Sequence, residues 1–378
     1  MAETHRLGRR LLVGAAATGA AVAARGVGVF LTNSLSRSGY EDAVDATWRR
    51  GEPTDPRLSA ARRDLVRFAT LAANSHNTQP WRFLMSGRSV LVLPDKQRRL
   101  PAVDPVDHHL FASLGCAVEN MVQAAGALGL RAIARFDAAA GGIKDDLETA
   151  SQIRSPLFNA IPQRQSTRAD YDGRAVPAEH LALLETAGQG NGMRMLLFTE
   201  PRPREEILAF LIAGNTTQLA DAAFVGELKS WIRFSYSEAL STRDGLFPKT
   251  SGNPALPGWI GRLIFPYVFT TEAENRKYEG HIRSSAGIAV FVSDTNEPAS
   301  WVEAGRCCQR FALQATALGL RHACINQPVE VPAVRSQFAS WLGIGDRRPD
   351  IVMRFGYRPA LPRSLRRPVE QVMIEENG

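Results

Sequence analysis

Two short polar clusters carry side chains whose types and spacing suit a planar ligand and a phosphate. The first is Asn74-Ser75-His76-Asn77-Thr78-Gln79-Pro80-Trp81. Its amides, hydroxyls and proline supply the hydrogen bonds and fixed turns that a loop needs where it meets a flat ring. The second is Arg164-Gln165-Ser166-Thr167-Arg168, in which two cations flank a hydroxyl, a composition suited to a phosphate. A third basic set near the carboxyl end, Arg354, Arg358, Arg363, Arg366 and Arg367, is interrupted by Pro359, Pro362 and Pro368. Those prolines argue for an extended path held on the surface rather than a helix.

Other reactive side chains point less clearly to a site. Asp104-Pro105-Val106-Asp107-His108-His109 sets hard and imidazole ligands close together, yet a single cluster without a convergent partner is a poor metal site, and no metal is expected. Cys116, Cys307, Cys308 and Cys324 show no CxxC spacing, which argues against zinc and leaves the thiols as small core residues. A disulfide stays open if the chain is exported. No GxGxxG follows a strand, so no dedicated dinucleotide domain is expected.

These clusters must be positioned by an α+β framework in which one unit occurs twice. Leu114, Val118, Met121, Ala125 and Leu128 step by four, three, four and three, and so do Ala304, Cys308, Phe311, Ala315 and Leu318. Each set lies along one helical face. The two sets are displaced by 190 residues, and Gly129 and Gly319 follow them as C-cap residues. Strand-like runs accompany each helix, at Val90–Leu93 and Ala132–Phe136 in one half and at Ala286–Val292 and Ile351–Phe355 in the other. With 44% hydrophobic residues in 378, the chain can bury a sizeable core. The net charge of +7 comes without any nucleic-acid recognition motif, so nucleic acid is not an expected partner.

The motifs Asn77-Thr78-Gln79-Pro80-Trp81 and Arg164 to Arg168, in this order and with the repeat, resemble the nitroreductase superfamily, and most closely its tandem-repeat, FMN-binding Acg-like branch. The resemblance covers roughly residues 55–370. It implies two fused nitroreductase-like repeats that form an intramolecular pseudo-dimer around mixed and antiparallel sheets, over 36–150 and 151–378, with a lid insertion at about 215–280. Within that insertion, Trp231 to Tyr236 and the Pro/Gly-rich loop to about Pro266 are the expected wall over the ligand. The first half keeps the Asn-Thr-Gln-Pro-Trp loop and lacks a phosphate motif near Trp48. The second keeps the arginines and has Gln189 to Met193 where a polar loop would stand. One FMN per chain, in a monomer that mimics the family dimer, is therefore expected.

By the same resemblance, Arg164, Gln165 and Ser166 bind the FMN phosphate and ribityl chain, and Arg168 reaches the pyrimidine edge of the ring. Asn74, Ser75 and Asn77 face the ring, with Gln79 and Trp81 fixing the loop. Asn326 and Gln327 belong to the loop that offers a backbone N–H to the flavin, and Arg363, Arg366 and Arg367 complete the phosphate site. No side chain is expected to be catalytic, His76 included, because hydride transfer at the flavin needs no protein acid. The implied activity is oxidation of NAD(P)H, a transient donor, with reduction of an electron-poor small molecule such as a quinone or nitroaromatic. The alternative is an FMN-binding protein whose lid prevents turnover and which sequesters, stores or senses the flavin.

The amino terminus adds Arg9-Arg10 before the apolar run Leu11–Ala24, with Arg25 interrupting it and Gly26–Leu31 resuming it. Over residues 1–35 this resembles a twin-arginine export signal or a single membrane anchor, and the expected location is the bacterial cell envelope. The alternative is a helical arm on a cytoplasmic protein.

Overall fold

The structure is a computed structural model that describes residues 36–49 and 58–375; the expected export signal lies outside the described residues. A helix over 36–48 (α1) opens it. The first half continues with Leu58–Thr70 (α2), the hairpin Trp81–Ser86 (β1) and Ser89–Pro94 (β2), the long helix His108–Ala127 (α3), and the hairpin Leu130–Asp137 (β3) and Gly142–Thr149 (β4). After Pro156–Ala160 (α4) come Ala178–Gly188 (α5), Met193–Phe198 (β5) and Pro201–Ala220 (α6). Four helices follow without a strand: Ala222–Ser230 (α7), Tyr236–Thr242 (α8), Gly258–Val268 (α9) and Thr271–Arg283 (α10). The remainder runs Gly287–Ser293 (β6), Pro298–Ala317 (α11), Arg321–Cys324 (β7), Gln327–Glu330 (α12), Pro332–Leu342 (α13) and Arg348–Gly356 (β8), then Val369–Val372 (α14) and Met373–Glu375 (β9).

The fold is α+β, with one mixed and one antiparallel sheet. The first sheet has the order β3-β4-β2-β1-β9 and the second β5-β6-β8-β7. All pairs are antiparallel except β1 with β9, where the last strand of the chain lies parallel to the first strand of the opposite half. Side chains of β1 alternate between buried and half-buried, as a strand with one covered face should, whereas β6 is buried along its whole length. Gly-Ile-Ala-Val-Phe-Val-Ser supplies small and β-branched residues for that central strand.

Both expected helical faces are in the core. Leu114, Val118, Met121 and Ala125 are buried in α3, and Ala304, Cys308, Phe311 and Ala315 in α11. Gly129 and Gly319 follow the two helices at φ +71° and +77°, a left-handed backbone that a Cβ would disfavour.

The two helices cross closely, and their contacts are reciprocal. Gly115 packs against the Val302 carbonyl and Gly305 against the Ala112 carbonyl, so each glycine meets the counterpart, 190 residues displaced, of the residue its own counterpart meets. The same exchange holds for the polar residues. Gln309 Nε2 donates to Asn120 Oδ1 at 2.7 Å, and Arg310 Nε donates to Glu119 Oε1 at 3.1 Å. Glu119, Asn120 and Gln309 are buried and meet their hydrogen-bonding needs across the crossing.

The packing divides the chain later than residue 150. Phe158, Ala160 and Ile161 join the core of the first half, and Val372 returns to it from the carboxyl end. Residues 357–368 have no regular structure and cross from β8 of the second sheet to β9 of the first. That is the held, extended path the prolines predict, and it lays the basic segment along the junction of the two halves.

Candidate functional site

A cavity of about 1110 Å³ opens at this junction and gathers segments that the sequence keeps far apart. Asn74, Ser75 and His76 line it from the first half, and Ser166, Arg168, Asn326 and Gln327 from the second. A smaller adjoining pocket of about 50 Å³ is lined by Asn74, Asn77, Arg164, Gln165, Ser166, Arg168, Arg363 and Arg366. The two polar clusters of the sequence therefore meet.

The 74–79 loop is backbone-strained. His76, Asn77 and Gln79 have φ of 46°, 54° and 53°, a region that non-glycine residues rarely adopt and that persists only where the surroundings over-determine it. Here hydrogen bonds do so. Asn74 Oδ1 accepts from the Gln79 N–H at 2.9 Å, and Thr78 N–H donates to Ser75 O at 2.9 Å. Asn77 Nδ2 donates to Gly245 O at 3.1 Å and Leu365 O at 3.3 Å. Gln79 Nε2 donates to Arg243 O at 2.9 Å, and Gln79 Oε1 accepts the Arg367 N–H at 2.7 Å.

Those bonds separate the sequence-derived candidates into two groups. Asn74, Ser75, Ser166 and Arg168 present themselves to the cavity, and no protein hydrogen bond or ion pair engages Arg168 among the described residues. Gln79 and Arg367 line neither cavity. Gln79 is buried under the loop, and Arg367 Nη1 sits 3.6 Å from Asp95 Oδ2. Arg366 borders the small pocket, but its donors are occupied by Thr70 O, Ala72 O, Leu365 O, Ser364 Oγ and Asn77 Oδ1. It clamps the end of α2 to the loop. Gln165 likewise spends its amide on Leu361 and Pro362 of the crossing segment, and Arg363 donates to Pro162 O with its guanidinium over the Trp48 ring.

Arg164 differs from the other arginines. It is buried, its Nη2 donates to Leu71 O at 2.9 Å, and its Nε and Nη1 have no partner. Burial pushes its guanidinium down to about 10. Arg358, absent from the candidates, lines the cavity with its Nε buried and unpaired. Gln327 Nε2 donates to Tyr278 OH at 2.6 Å and leaves Oε1 without a partner at the cavity wall. Asn326 Oδ1 accepts the Val352 N–H at 3.0 Å, which fixes the side chain and leaves its Nδ2 and main chain for a ligand. His76 lines the cavity with its ring pushed down to about 4, chiefly by burial and then by Arg168 and His109. It is neutral at pH 7.

The Asp104–His109 segment has partners of its own. Asp104 Oδ2 accepts the Leu110 N–H at 2.9 Å at the start of α3. His108 Nε2 lies 2.8 Å from Asp350 Oδ1, and His109 Nε2 lies 3.4 Å from Glu330 Oε1. Burial lowers both imidazoles and raises both carboxyls. His109 and Glu330 line the cavity, which sequence reasoning missed; the only signal was the paired histidines. Cys116, Cys308 and Cys324 are free thiols that also border the cavity, whereas Cys307 is in the core alone.

The far wall is apolar. Phe224, Leu228, Ile232, Phe234, Ile264 and Phe265 contribute to it from α7 to α9 and their connections. The Pro/Gly-rich segment also contributes Pro248, Gly252 and Pro254 to the lining. It is fastened to the polar loop by the Gly245 N–H donating to Asn77 O at 3.1 Å.

No family model matches this chain. Among curated proteins it is similar to "Putative NAD(P)H nitroreductase Rv3131" of Mycobacterium tuberculosis, 24% identical over 326 residues, covering 82% of this chain and 90% of that one. It is also similar to "Putative NAD(P)H nitroreductase acg" of the same organism, 27% identical over 329 residues, covering 81% and 93%. Solved structures that align include the NADPH:FMN oxidoreductase of Vibrio harveyi complexed with NAD+ (14% identity, 59% of this chain and 78% of that one, TM-score 0.37). Another is the FMN-dependent nitroreductase NfnB of Mycobacterium smegmatis in complex with NADPH (16%, 59% and 94%, TM-score 0.35). Over four-fifths of its length, then, the chain is similar in sequence to proteins named as putative NAD(P)H nitroreductases.

Proposed function

We propose that this protein is an FMN-dependent oxidoreductase that takes hydride from NAD(P)H and passes it to an electron-poor small molecule such as a quinone or nitroaromatic. The observation that carries this reading is Arg164, a buried guanidinium with two unpaired donors beside the pocket shared by Ser166, Asn74 and Arg168. A buried cation with donors left unpaired and no counter-ion is costly, and a phosphate is the partner that fits it. The curated relatives, by name NAD(P)H nitroreductases, agree with the assignment.

Arg164 and Ser166 would hold the phosphate end, Asn74 and Ser75 the ring face, and Arg168 the ring's pyrimidine edge. Asn326 and Gln327 would meet the ring from the opposite half through main chain and the free Gln327 Oε1. FMN, when bound, supplies the hydride chemistry. The residues bind, orient and exclude water. Arg168 adds positive charge where negative charge develops on reduction, and Gln79, Asn77, Arg366 and Arg367 keep the strained loop in place behind them. A volume of about 1110 Å³ exceeds the roughly 300–1,000 Å³ of ordinary ligand sites, which favours a second reactant over a sealed storage site.

The finer architecture is part of the same proposal. The reciprocal contacts of α3 and α11 support two fused repeats acting as an intramolecular pseudo-dimer with one FMN. Residues 1–35 support an exported or envelope-anchored protein.

The test is the absorption spectrum of the FMN-loaded protein under anaerobic conditions, before and after NADPH and then NADH. Rapid bleaching of the flavin band is expected. A bound flavin that dithionite reduces and neither nicotinamide touches would end the oxidoreductase reading in favour of an FMN-binding protein.

A further inference from the structure

Helix α9 is apolar on every side and buried on only one. Its sequence, Gly-Trp-Ile-Gly-Arg-Leu-Ile-Phe-Pro-Tyr-Val, carries one charge in eleven residues. Gly261, Ile264 and Phe265 face the cavity. At 100° per residue, Trp259, Leu263, Pro266 and Tyr267 fall together on the opposite face. Trp259 is 70% exposed, Leu263 62% and Tyr267 79%, with Val268 at the helix end 59% exposed. Only three other large hydrophobic side chains among the described residues are comparably exposed, and they are scattered singly at Val106, Ile153 and Leu183. Single exposed apolar residues are ordinary; Trp259, Leu263 and Tyr267 together on one helix face mark a contact surface, while Val268 lies on the other side and lines the cavity.

We propose that this outer face of α9 docks on a bilayer with anionic headgroups, so that the helix lies in the interface and its inner face borders the cavity. The chemistry of the stripe selects that occupant. Trp and Tyr are the residues that sit at the headgroup boundary, and here they flank a leucine. At about 16 Å, α9 is too short to span a hydrocarbon core of about 30 Å but can lie along it.

Charges of both signs flank the helix: Arg262 is offset by Glu238, and Glu272 and Glu274 open the next helix, whereas Lys229 and Lys249 have no ion pair among the described residues. Residues 245–271 contain Lys249 and Arg262 and no acidic residue. Lys229 Nζ stands 5.6 Å from the Phe265 ring centroid, and Arg262 is paired with Glu238 at 2.7 Å. The chain as a whole carries +7, which attracts it to an anionic surface. The apolar run Leu11–Ala24, behind Arg9 and Arg10, gives the same chain a second route to a membrane.

Resting on the oxidoreductase reading, this surface also specifies the acceptor class: an apolar, membrane-dissolved molecule of quinone type that enters past α9 rather than from water.

The test is local, because the amino terminus could hold the chain on vesicles by itself. Full-length protein is mixed with vesicles of phosphatidylcholine and phosphatidylglycerol whose acyl chains are brominated near the headgroup, and tryptophan emission is compared between wild type and Trp259→Phe. Quenching that is present in the wild type and lost in Trp259→Phe is expected. The double variant Leu263→Gln, Tyr267→Gln should weaken that quenching about tenfold or more in lipid titration. Vesicle binding with equal quenching in wild type and Trp259→Phe would overturn the proposal. So would a concentration-dependent dimer whose formation, without lipid, shifts Trp259 emission to the blue. The measurement needs no turnover, so a flavin that NADPH fails to bleach leaves the docking result standing and removes only the acceptor.

Discussion

Replacing Arg164 with methionine should move the stability of the unliganded protein and its affinity for FMN in opposite directions. The fall of this guanidinium from its ordinary value to about 10 corresponds to about 3 kcal/mol of burial penalty. Methionine fills much of the same space without a charge. What is lost is the hydrogen bond from Nη2 to Leu71 O at 2.9 Å, worth about 1.5–3 kcal/mol for a charged donor. The net effect on the unliganded protein is therefore neutral to about 1.5 kcal/mol stabilising, as replacement of buried ionic groups by apolar ones often is. With ligand the balance reverses. Nε and Nη1 are unpaired, and losing two charge-assisted bonds to a phosphate costs about 3–6 kcal/mol, or about 150- to 20,000-fold in affinity. Thermal denaturation without and with a fixed excess of FMN, alongside a fluorescence titration, measures both. The apo Tm should hold or rise, and the upward shift that FMN produces should shrink. A variant that melts well below wild type without FMN, yet binds it within threefold of wild type, would refute the assignment of Arg164 to the phosphate.

Three further outcomes follow from the geometry. Gly305→Ala would place a Cβ well inside 3.0 Å of the Ala112 carbonyl; overpacking of this kind costs about 1–3 kcal/mol or more, so Tm should fall by several degrees, whereas Gly226→Ala, with open space around its Cβ position, should not lower it. Asp145 is buried with both carboxylate oxygens unpaired, and burial pushes it up to about 7. It stays protonated in the folded state between about pH 4 and pH 7 while the unfolded chain ionises it, so stability should fall across that window by up to about 4 kcal/mol as pH rises. Asp145→Asn should flatten that slope in denaturant titrations taken at several pH values; an unchanged slope would place the ionisation elsewhere. Gln79→Ala removes the acceptor of the Arg367 N–H and the donor to Arg243 O, and should speed FMN release about tenfold with little change in the spectrum of the bound flavin, as measured by stopped-flow displacement.

Much of the framework was legible because it rests on periodicity. The repeated four-three steps of α3 and α11 need only apolar residues on one face, and the glycines after them need only a left-handed turn; both are local properties. The residue types of the two clusters suggested a planar ligand and a phosphate, but that Asn74–Ser75 should meet Ser166–Arg168 was implied by the family resemblance and not by the residues alone. What was not legible is how each arginine of the carboxyl segment spends its donors. Arg358, Arg366 and Arg367 look alike in sequence, yet Arg358 reaches the cavity, Arg366 is consumed by the carbonyls at the end of α2, and Arg367 turns to Asp95. That division depends on which backbone acceptors lack partners where the segment crosses, and no side-chain pattern encodes it. The Glu330–His109 pair escaped notice for the same reason, since its members come from α12 and α3.

The crossing of α3 and α11 joins two stretches of a single polypeptide, and this alters how the site responds to dilution and to change. Two separate subunits with the same reciprocal contacts would part as their concentration fell, and the cavity at their junction would go with them. Here each helix meets the other at an effective concentration fixed by the connecting chain, so the pairing of α3 with α11 survives at trace protein levels. A substitution in a symmetric dimer also appears on both sides of the axis at once. In this chain Gly115 and Gly305, or Glu119 and Gln309, can vary one at a time, which leaves one side free to hold a ligand loop while the other builds a wall.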